Sequence, residues 1–454
     1  MIKSRAKKVL NIISIFMFST YAIGFISPNR YNLKRPILLS VLVLSYVLAF
    51  YLGGKLSLNK YKWVYPEDDQ TQRHGSSKSL GFLQSSIVIL LIYTLSITVS
   101  NMAATGASNI SQAILMAFSN ADKVYYSRAG LESSWVMNYI TILGSPIFIY
   151  ASLFGLIKFR ELKRPYKICY VLYVAFEAVR WILVGTNKGL FDLLILAVSA
   201  VMLSNAIYGK KKSSKISNGN FKRNFIIAIA IIFVLYFFSL TMRSRLGSLY
   251  YNLSDTYYRT YNMDHIMFKI LPFDLVLIFA KLVDYLAQGY YGLSLGLTLD
   301  FQPTYLAGSN VFLTGYIEPL IGIDVSSRLY QTRIENMYGW GATSRWHTMY
   351  LWMANDFSFV GVIFVMFLLG YILGKCLYDS IIKKDTFAIC LCYMLLKTMF
   401  YASANNQVLG TYTIVSFVFF FIMWKLNKKY TFVFGVNGNR KRRGEKLLND
   451  YVCR

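Results

Sequence analysis

The chain has 454 residues, of which 56% are hydrophobic, 17% aromatic and only 15% charged, and its mean hydropathy is +0.43. Soluble domains carry charge on about a quarter of their residues, so these figures exclude an ordinary soluble domain, a disordered chain, a collagen and a coiled coil. Five cysteines are too few for a disulfide scaffold. The composition therefore predicts an all-α polytopic membrane protein.

Apolar runs of span length recur along the chain, and a helix needs about 20 residues to cross a bilayer. We predict about ten transmembrane helices, within a range of ten to twelve. The predicted spans are 9–26, 37–54, 80–100, 136–156, 168–184, 191–207, 225–242, 357–374, 387–402 and 409–424. In domain terms, the chain is predicted to contain an N-terminal transmembrane bundle (1–242), a large outer loop between the seventh and eighth spans (243–356), C-terminal helices (357–424) and a basic tail (425–454).

The formal net charge is +27, a value that on a soluble protein would indicate a nucleic-acid partner. Here the lysines and arginines are concentrated in every second loop between the predicted spans. These loops lie on one side of the membrane, and an excess of Lys and Arg is typical of the cytoplasmic side. Topology, together with some attraction to anionic lipid, therefore explains the charge, and no nucleic acid is required. We predict that both termini are cytoplasmic and that the loop at 243–356 lies outside.

The outer loop contains no apolar run of span length that is free of charge, and loops of this size are usually functional. Its segment 272–288 starts with a proline suited to a first helical turn. In a helix this segment places Asp274, Lys281, Asp284 and Gln288 in one stripe. It is predicted to be an interfacial or re-entrant helix, with a full span as the alternative.

Several charged residues lie at the predicted outer ends of spans, where each is a functional hypothesis because burying a charge in a span costs about 2.5–3.5 kcal/mol. Arg180 and Lys188 flank one outer turn and predict an anion site suited to phosphate; pairing of Arg180 with Glu177 on one helix is the alternative. Arg243 and Arg245 follow the seventh span, as interfacial anchors or as ligands of the same anion.

The most polar outer segment, residues 324–356, supplies the remaining candidates. They are Arg328, Arg333, Glu335, Arg345, His347 and Asp356. Histidine is the usual group for removing a proton at neutral pH, so His347 beside Arg345 is the candidate base, with a structural histidine as the alternative. No cluster with metal-ligand spacing and no nucleotide-binding fingerprint occurs, so neither a metal nor a cofactor is predicted.

The layout of spans and outer loop resembles the oligosaccharide repeat-unit polymerases, the O-antigen polymerase family of bacterial inner membranes. The segment YLWMANDFSFVGVIFVMFLLGYILG enters the eighth span with an acidic residue and glycines, as in that family, although Ser358 stands where a glycine is common. The turn from Arg180 to Lys188 and Gly189 is similar to the family's basic outer turn. Arg328 and Gly339 fit its pattern of an arginine followed, after ten residues, by a glycine.

The resemblance implies a membrane glycosyltransferase that joins repeat units linked to undecaprenyl diphosphate, for O-antigen or capsule, without a metal. His347 would act as the base, assisted by Arg345. Diphosphate would bind Arg180, Lys188, Arg243 and Arg245, and the substrate-orienting residues would be Arg328, Arg333, Glu335 and Asp356. The implied partners are the lipid-linked glycan donor and acceptor and membrane lipid. Whether a protein that regulates the length of the glycan chain is a further partner is left open.

Two alternatives stay open at this point. An O-antigen ligase uses the same donor but transfers glycan to another lipid, and only the acceptor separates the two activities. A polysaccharide flippase or transporter would be expected to place its charges and broken helices near the bilayer midplane. The predicted charges instead lie toward the outer ends of the spans.

Overall fold

The computed structural model describes residues 2–64, 72–104, 109–119, 135–209, 218–246, 251, 256–310, 314–315, 318–320, 322, 324–404 and 410–429. The fold is all-α, with 79% of residues in helices. In chain order the helices are α1 (Ile2–Ile26), α2 (Pro36–Lys60), α3 (Gln72–Ala104), α4 (Ile110–Ser119), α5 (Trp135–Ile157), α6 (Arg164–Ile182), α7 (Lys188–Tyr208), α8 (Asn218–Leu246), α9 (Ile266–Ile270), α10 (Phe273–Gly296), α11 (Tyr330–Tyr338), α12 (Met349–Ile382), α13 (Thr386–Phe400) and α14 (Thr411–Lys429).

Two three-residue strands, β1 (Asn29–Tyr31) and β2 (Arg259–Tyr261), form an antiparallel ribbon. Short 3-10 helices cover Phe159–Glu161 and Ser326–Arg328. Helices α2 and α6 each carry a proline in the first turn, where its missing N–H breaks no helical hydrogen bond.

Six of the described helices are long and apolar enough to cross a membrane: α1, α2, α3 over Ser79–Ala103, α5, α7 and α12. Shorter apolar helices are α4, α13 and the part of α8 from Ile231 to Ser244. Every predicted apolar run overlaps a helix. The predicted fold class of a helical membrane protein is therefore confirmed at this level.

The chain divides into two compact units that do not follow chain order. Unit 1 contains Met1–Trp63, Leu246–Tyr378 and Met394–Ile414, and unit 2 contains Val64–Arg245, Asp379–Tyr393 and Val415–Arg454. The first two helices thus belong with the long loop and not with the bundle that follows them, so the units cut across the predicted domain boundaries. Most of the predicted basic tail, residues 430–454, lies outside the described residues.

Helix α2 of unit 1 has two contrasting faces. Along one face runs an exposed apolar stripe at helical spacing, which is the surface a helix presents to lipid. The stripe consists of Ile37, Val41, Leu44, Leu48, Leu52 and Leu56, each at least 45% exposed. On another face, a Cβ at Gly53 would overlap the carbonyl oxygen of Phe367 in α12, and a Cβ at Gly370 would overlap that of Phe50. The backbones of α2 and α12 therefore touch, as small residues permit in membranes.

Helix α12 begins earlier than the sequence predicts. The predicted span starts at residue 357, but the helix starts at Met349 and is interrupted by a kink at Ser358, whose φ of 59° and ψ of 166° are not helical. The last residues of the predicted outer loop are therefore helical, and the kink lies two residues after Asp356.

Helix α10 corresponds to the helix predicted at 272–288 and is extended to 24 residues. Asp274, at its start, is exposed, but Lys281 and Gln288 are only 8% and 7% exposed. Its polar stripe therefore faces other parts of unit 1, and from Ala287 to Gly296 every residue is buried. Tyr290 joins it to α1 through a 3.0 Å hydrogen bond with Thr20.

Unit 2 is built on α3, which packs along α5 and α6. The ring of Tyr93 stacks on Phe148 at 4.1 Å between centroids, and Asn101 donates to the carbonyl of Arg180. At the far end of α12, the buried carboxylate of Asp379 accepts from Trp424 Nε1 and pairs with Lys383 and Lys428 at 2.8 and 3.0 Å. This fixes α14 to α12 within the unit.

Candidate functional site

The centre of the candidate site is the inner face of the β-ribbon in unit 1. Side chains alternate along a strand, so Asn29 and Tyr31 of β1 share one face, as do Arg259 and Tyr261 of β2. The antiparallel register places Tyr31 opposite Arg259 and Asn29 opposite Tyr261. Asn29 donates to the carbonyl of Ala280 at 2.8 Å, which fixes the ribbon on the polar stripe of α10.

A single carboxylate, that of Asp284, organises this face. Its Oδ2 lies 2.7 Å from Arg259 Nη1 and accepts from the Tyr258 hydroxyl at 3.3 Å. Its Oδ1 accepts from the Tyr31 hydroxyl at 3.1 Å. Lys281, one turn earlier on α10, instead donates to the Tyr261 hydroxyl at 3.3 Å. We call Arg259, Lys281, Asp284 and Tyr258 the ribbon cluster.

Positive charge exceeds negative charge in the ribbon cluster, because it contains two buried cations, Arg259 and Lys281, and one carboxylate, that of Asp284. Arg259 is 5% exposed, and its Nε has no hydrogen-bond partner among the described residues. Burial, reinforced by the neighbouring Arg259 charge, lowers the pKa of Lys281 to about 8. A buried lysine whose pKa is lowered toward neutrality beside a second cation is a feature of binding and catalytic sites.

Arg345 extends the ribbon cluster toward solvent. Its guanidinium lies over the rings of Tyr258 and Trp340, with 5.4 and 5.1 Å to the centroids, and it is half-buried. Of the described residues, none offers it a carboxylate within ion-pairing distance. Stacking holds the guanidinium in place while leaving its N–H groups for an anion.

The predicted base His347 lies in the protein interior. The ring is 1% exposed, its Nε2 lies 3.2 Å from the carbonyl oxygen of Gly341, and its buried Nδ1 has no partner among the described residues. Burial lowers the pKa of His347 to about 4, so the ring is neutral at pH 7. This geometry favours a structural role for the ring, in holding the loop that carries Trp340 and Arg345.

The predicted substrate-orienting arginines are Arg328, in the 3-10 helix Ser326–Arg328, and Arg333, in α11. Arg333 donates to the carbonyl of Asp300 at 2.7 Å, and Arg328 lies over the ring of Tyr305 at 5.6 Å. Both guanidinium groups are partly exposed, and none of their hydrogen bonds in the described chain goes to a carboxylate. They therefore keep donors for an anionic or hydroxyl-rich ligand.

The two predicted acidic residues of this segment support the backbone. Glu335 accepts from the amide of Ala342 at 3.2 Å and so closes the turn after α11. Asp356 accepts from the hydroxyls of Thr304 and Ser309 and from the amides of Gly308 and Ser309. With four donors already bound, the Asp356 carboxylate fixes the 304–309 turn to α12 and has little capacity left to orient a substrate.

The predicted pair Arg180 and Lys188 is brought together on one ring in unit 2. Their charged groups lie 4.9 and 5.4 Å from the centroid of Trp181. Gly189 permits this arrangement, because a Cβ there would overlap the Trp181 ring. Arg180 pairs with Glu177 at 2.7 Å and Lys188 with Asp192 at 3.4 Å, so each cation has a carboxylate within one turn.

The other two predicted diphosphate ligands, Arg243 and Arg245, lie at the end of α8. Arg243 is half-buried in the last turns of α8. The side chain of Arg245 lies outside the described residues, although its backbone is helical. Within the described part of the chain, no group of three or more His, Cys, Asp or Glu residues is placed to hold a metal ion.

The ribbon cluster is the part of the site that the sequence did not reveal. Lys281 and Asp284 stood out as a polar stripe, but Arg259 carried no signal, because three-residue strands are too short to give an alternating pattern. Pairing of β1 with β2 joins segments more than 200 residues apart in the chain and holds Arg259 on the face of the ribbon that meets Asp284.

Comparison of the chain with protein-family models, with curated proteins and with solved structures finds no match in any of the three. What the site does must therefore be inferred from its own chemistry.

Proposed function

We propose that the protein polymerises oligosaccharide repeat units linked to undecaprenyl diphosphate, on the outer face of the bacterial cytoplasmic membrane. The supporting observation is the ribbon cluster: a buried group with excess positive charge, continued to solvent by Arg345 on an aromatic surface. Cations suit a departing diphosphate, and aromatic faces suit sugar rings.

In the proposed reaction a hydroxyl oxygen of the acceptor unit attacks the anomeric carbon of the donor glycan. The bond from that carbon to the diphosphate oxygen breaks, and the electron pair leaves with the lipid diphosphate. Charge therefore develops on the diphosphate, where the positive charges of Arg345 and of the buried Arg259, both beside the Tyr258 ring, stabilise it more strongly than in the ground state.

The proton of the attacking hydroxyl needs an acceptor. The sequence favoured His347, but a pKa of about 4 makes that ring a weak base near neutral pH. We propose Lys281 instead, since a pKa of about 8 leaves part of it as a neutral amine near neutral pH. The expected activity profile then rises with pH through the Lys281 pKa.

The topology that this function requires is the predicted one. About ten spans, with both termini cytoplasmic, place residues 243–356 outside, where the lipid-linked substrates of polymerisation are found. We propose that the diphosphate groups of the lipid-linked substrates are also bound by basic residues of unit 2, namely Arg180, Lys188, Arg243 and Arg245. Membrane lipid and the glycan-carrying lipids are the proposed partners.

The test is deletion of the gene, followed by electrophoresis of the cell-surface polysaccharide. Complementation with wild type, Arg345→Ala and Arg180→Ala shows which basic site the ladder needs, and Arg160→Ala, an exposed arginine of the Phe159–Glu161 turn, is the matched control. We expect collapse to a single repeat unit still attached to its surface acceptor, restored by wild type and by Arg160→Ala.

A different pattern would overturn the proposal. Loss of even the single unit would indicate a ligase or a flippase. Lipid-linked glycan accumulating on the outer leaflet would then indicate the ligase, and accumulation on the inner leaflet the flippase. An unchanged ladder would exclude all three activities.

A further inference from the structure

Unit 1 contains a cleft of about 200 Å³ that the reaction above does not use. It lies where the end of α1, the strand β1 and the second half of α10 meet. Ligand pockets that enclose a whole small molecule measure about 300–1,000 Å³, so this cleft holds only part of a ligand. The residues of its lining that matter below are Tyr21, Gly24, Phe25, Arg30, Tyr31 and Tyr290.

The interior of the cleft offers a ligand no free polar group of a tyrosine. The hydroxyls of Tyr21, Tyr31 and Tyr290 each hydrogen-bond to another side chain of the protein, at 2.8, 3.1 and 3.0 Å. Tyr21 meets both Phe25 and Tyr290 edge to face, with 5.0 Å between the centroids, so the rings form a ridged wall. A polar ligand would lose its hydrogen bonds to water there, whereas a flexible hydrocarbon chain loses none.

The cleft opens on the lipid-facing end of α1. This helix is long and apolar enough to span a membrane, so its last residue, Ile26, lies at a membrane surface. Phe25, a wall of the cleft, is 58% exposed. His265 Nε2 lies 3.0 Å from the carbonyl oxygen of Ile26, and the helix α9 that it caps adds the exposed side chains of Ile266 and Ile270. A hydrocarbon chain therefore reaches the cleft directly from the membrane.

The rim of the cleft is basic. Arg30 is exposed, and because side chains alternate along a strand, it points away from the face of β1 that meets Asp284. Lys34 and Arg35 follow and are also exposed, and Arg35 directly precedes α2, the next helix of span length. These three cations therefore lie at the level of the lipid headgroups.

Nothing in the described chain neutralises this rim. None of the three cations has a carboxylate within ion-pairing distance among the described residues, and the segment 27–36 contains no acidic residue. Under the predicted topology the segment lies outside, where the preference of Lys and Arg for cytoplasmic loops does not account for its charge. An anionic ligand does.

We propose that this cleft binds one anionic phospholipid, with part of an acyl chain against the aromatic wall and the phosphate at Arg30, beside Lys34 and Arg35. Free phosphate would leave the apolar wall uncovered. Undecaprenyl lipids share this chemistry, but their diphosphate is assigned above to the ribbon cluster, on the other face of β1. A phospholipid is not a reactant, so the inference stands or falls separately from the proposed reaction.

Two kinds of variant test the rim and the cleft separately. Arg30→Gln removes the rim charge, and Arg160→Gln, at an exposed turn of unit 2, is its matched control. Gly24→Leu fills the cleft. Gly24→Ala is the control for that change, because a Cβ at Gly24 would make only ordinary contacts, the nearest at 3.4 Å. Leu33→Trp narrows the cleft from a half-buried position and serves if Gly24→Leu does not fold.

The measurement is native mass spectrometry of the purified full-length protein in detergent, titrated with dioleoyl phosphatidylglycerol. We expect a single tight site in wild type that prefers phosphatidylglycerol to phosphatidylcholine and is not displaced by inorganic phosphate. Arg30→Gln should weaken it about five-fold, and Gly24→Leu and Leu33→Trp at least about ten-fold, because the acyl chain loses its contacts. Gly24→Ala and Arg160→Gln should bind as wild type does.

Several outcomes would overturn the inference. Absence of a tight site in wild type, or unchanged affinity in Arg30→Gln or in the folded cleft variants, would show that the lipid does not bind here. Displacement by inorganic phosphate would indicate a site for the free anion. Tighter binding of undecaprenyl phosphate than of phosphatidylglycerol would assign the cleft to the glycan-carrying lipids. Failure of the proposed function is seen separately, as an unchanged polysaccharide ladder after gene deletion.

Discussion

The basic sites of the two units contain similar residues but differ in how their charges are neutralised. In unit 2, Arg180 and Lys188 each have a carboxylate within one helical turn, Glu177 and Asp192. In unit 1, Asp284 pairs with Arg259, while Lys281 donates only to the Tyr261 hydroxyl and Arg345 has no carboxylate among the described residues. Charges neutralised by near neighbours on the same helix are cheap to keep in a membrane protein. Excess charge assembled from distant segments is costly, and is therefore the stronger indication of a ligand.

The largest expected effect comes from removing the central guanidinium of the ribbon cluster. Arg259→Leu leaves the half-buried Asp284 without its ion-pair partner, so we expect the free energy of unfolding to fall by about 3–5 kcal/mol and polymerisation to fall about 1,000-fold. Arg180→Leu is the matched variant in unit 2, where Glu177 keeps its hydrogen bond from Trp181, and there we expect a loss of about 1–2 kcal/mol. Denaturant unfolding in mixed micelles measures both, and equal losses would end the distinction between the units.

The next effect is acid sensitivity from His347. Its folded pKa of about 4 lies below the ordinary value of 6.5, so the unfolded chain binds the proton more readily. The contribution of neutral His347 to the free energy of unfolding is fully present above pH 6.5. It is lost as the pH falls toward 4, and the total loss is about 3 kcal/mol. Unfolding measured from pH 7 to pH 4 should show this loss in wild type and a smaller loss in His347→Leu. His265→Gln, at a half-buried histidine, is the control, and an unchanged slope in His347→Leu would contradict the prediction.

Lys281→Met should separate stability from activity. The lysine is buried and its hydrogen bond goes to a neutral hydroxyl, so its removal should stabilise the fold by about 1–2 kcal/mol. Polymerisation should fall about 100-fold, because the proposed proton acceptor is lost. Lys188→Met in unit 2 breaks a more exposed ion pair and should destabilise by about 0–1 kcal/mol. If both variants lowered the free energy of unfolding, Lys281 would be a net stabilising charge, and unit 1 would carry no costly excess of positive charge.

The smallest expected effect distinguishes charge from geometry at Arg345. Arg345→Lys keeps the positive charge but loses the planar stack on Tyr258 and Trp340 and the forked donors that suit phosphate. We expect polymerisation to fall about ten-fold and the free energy of unfolding to change by less than about 0.5 kcal/mol. Arg160→Lys, at an exposed turn, should change neither, and full activity in Arg345→Lys would mean that any cation suffices at this position.

Sequence reasoning succeeded where the signal was local. Apolar runs predicted the helices, and the proline with the polar stripe predicted α10. The end of α10 was predicted eight residues too early, because the buried segment after Gln288 contains no charged residue that continues the polar stripe. Proximity of Arg180 to Lys188 also followed, because both lie next to Trp181 in one turn.

The rest depended on contacts between distant segments. The sequence predicts that Asp356 orients substrate, but four donors of the turn at 304–309 already occupy its carboxylate. His347 looked like an accessible base because nothing in its neighbours along the chain reveals that it is buried. The role of Arg259 depends on the pairing of two three-residue strands, which no local pattern could indicate.

The glycine contact between α2 and α12 has a consequence for biosynthesis. Helix α2 leaves the ribosome early, while the backbone carbonyl that Gly53 contacts belongs to Phe367 of α12, near the other end of the chain. At 5–20 residues per second, translation leaves the face of α2 that carries Gly53 in contact with lipid for on the order of tens of seconds. Insertion of the first hairpin is thus separated in time from its packing, and nascent chains that stop before α12 should be substrates for membrane quality-control proteases.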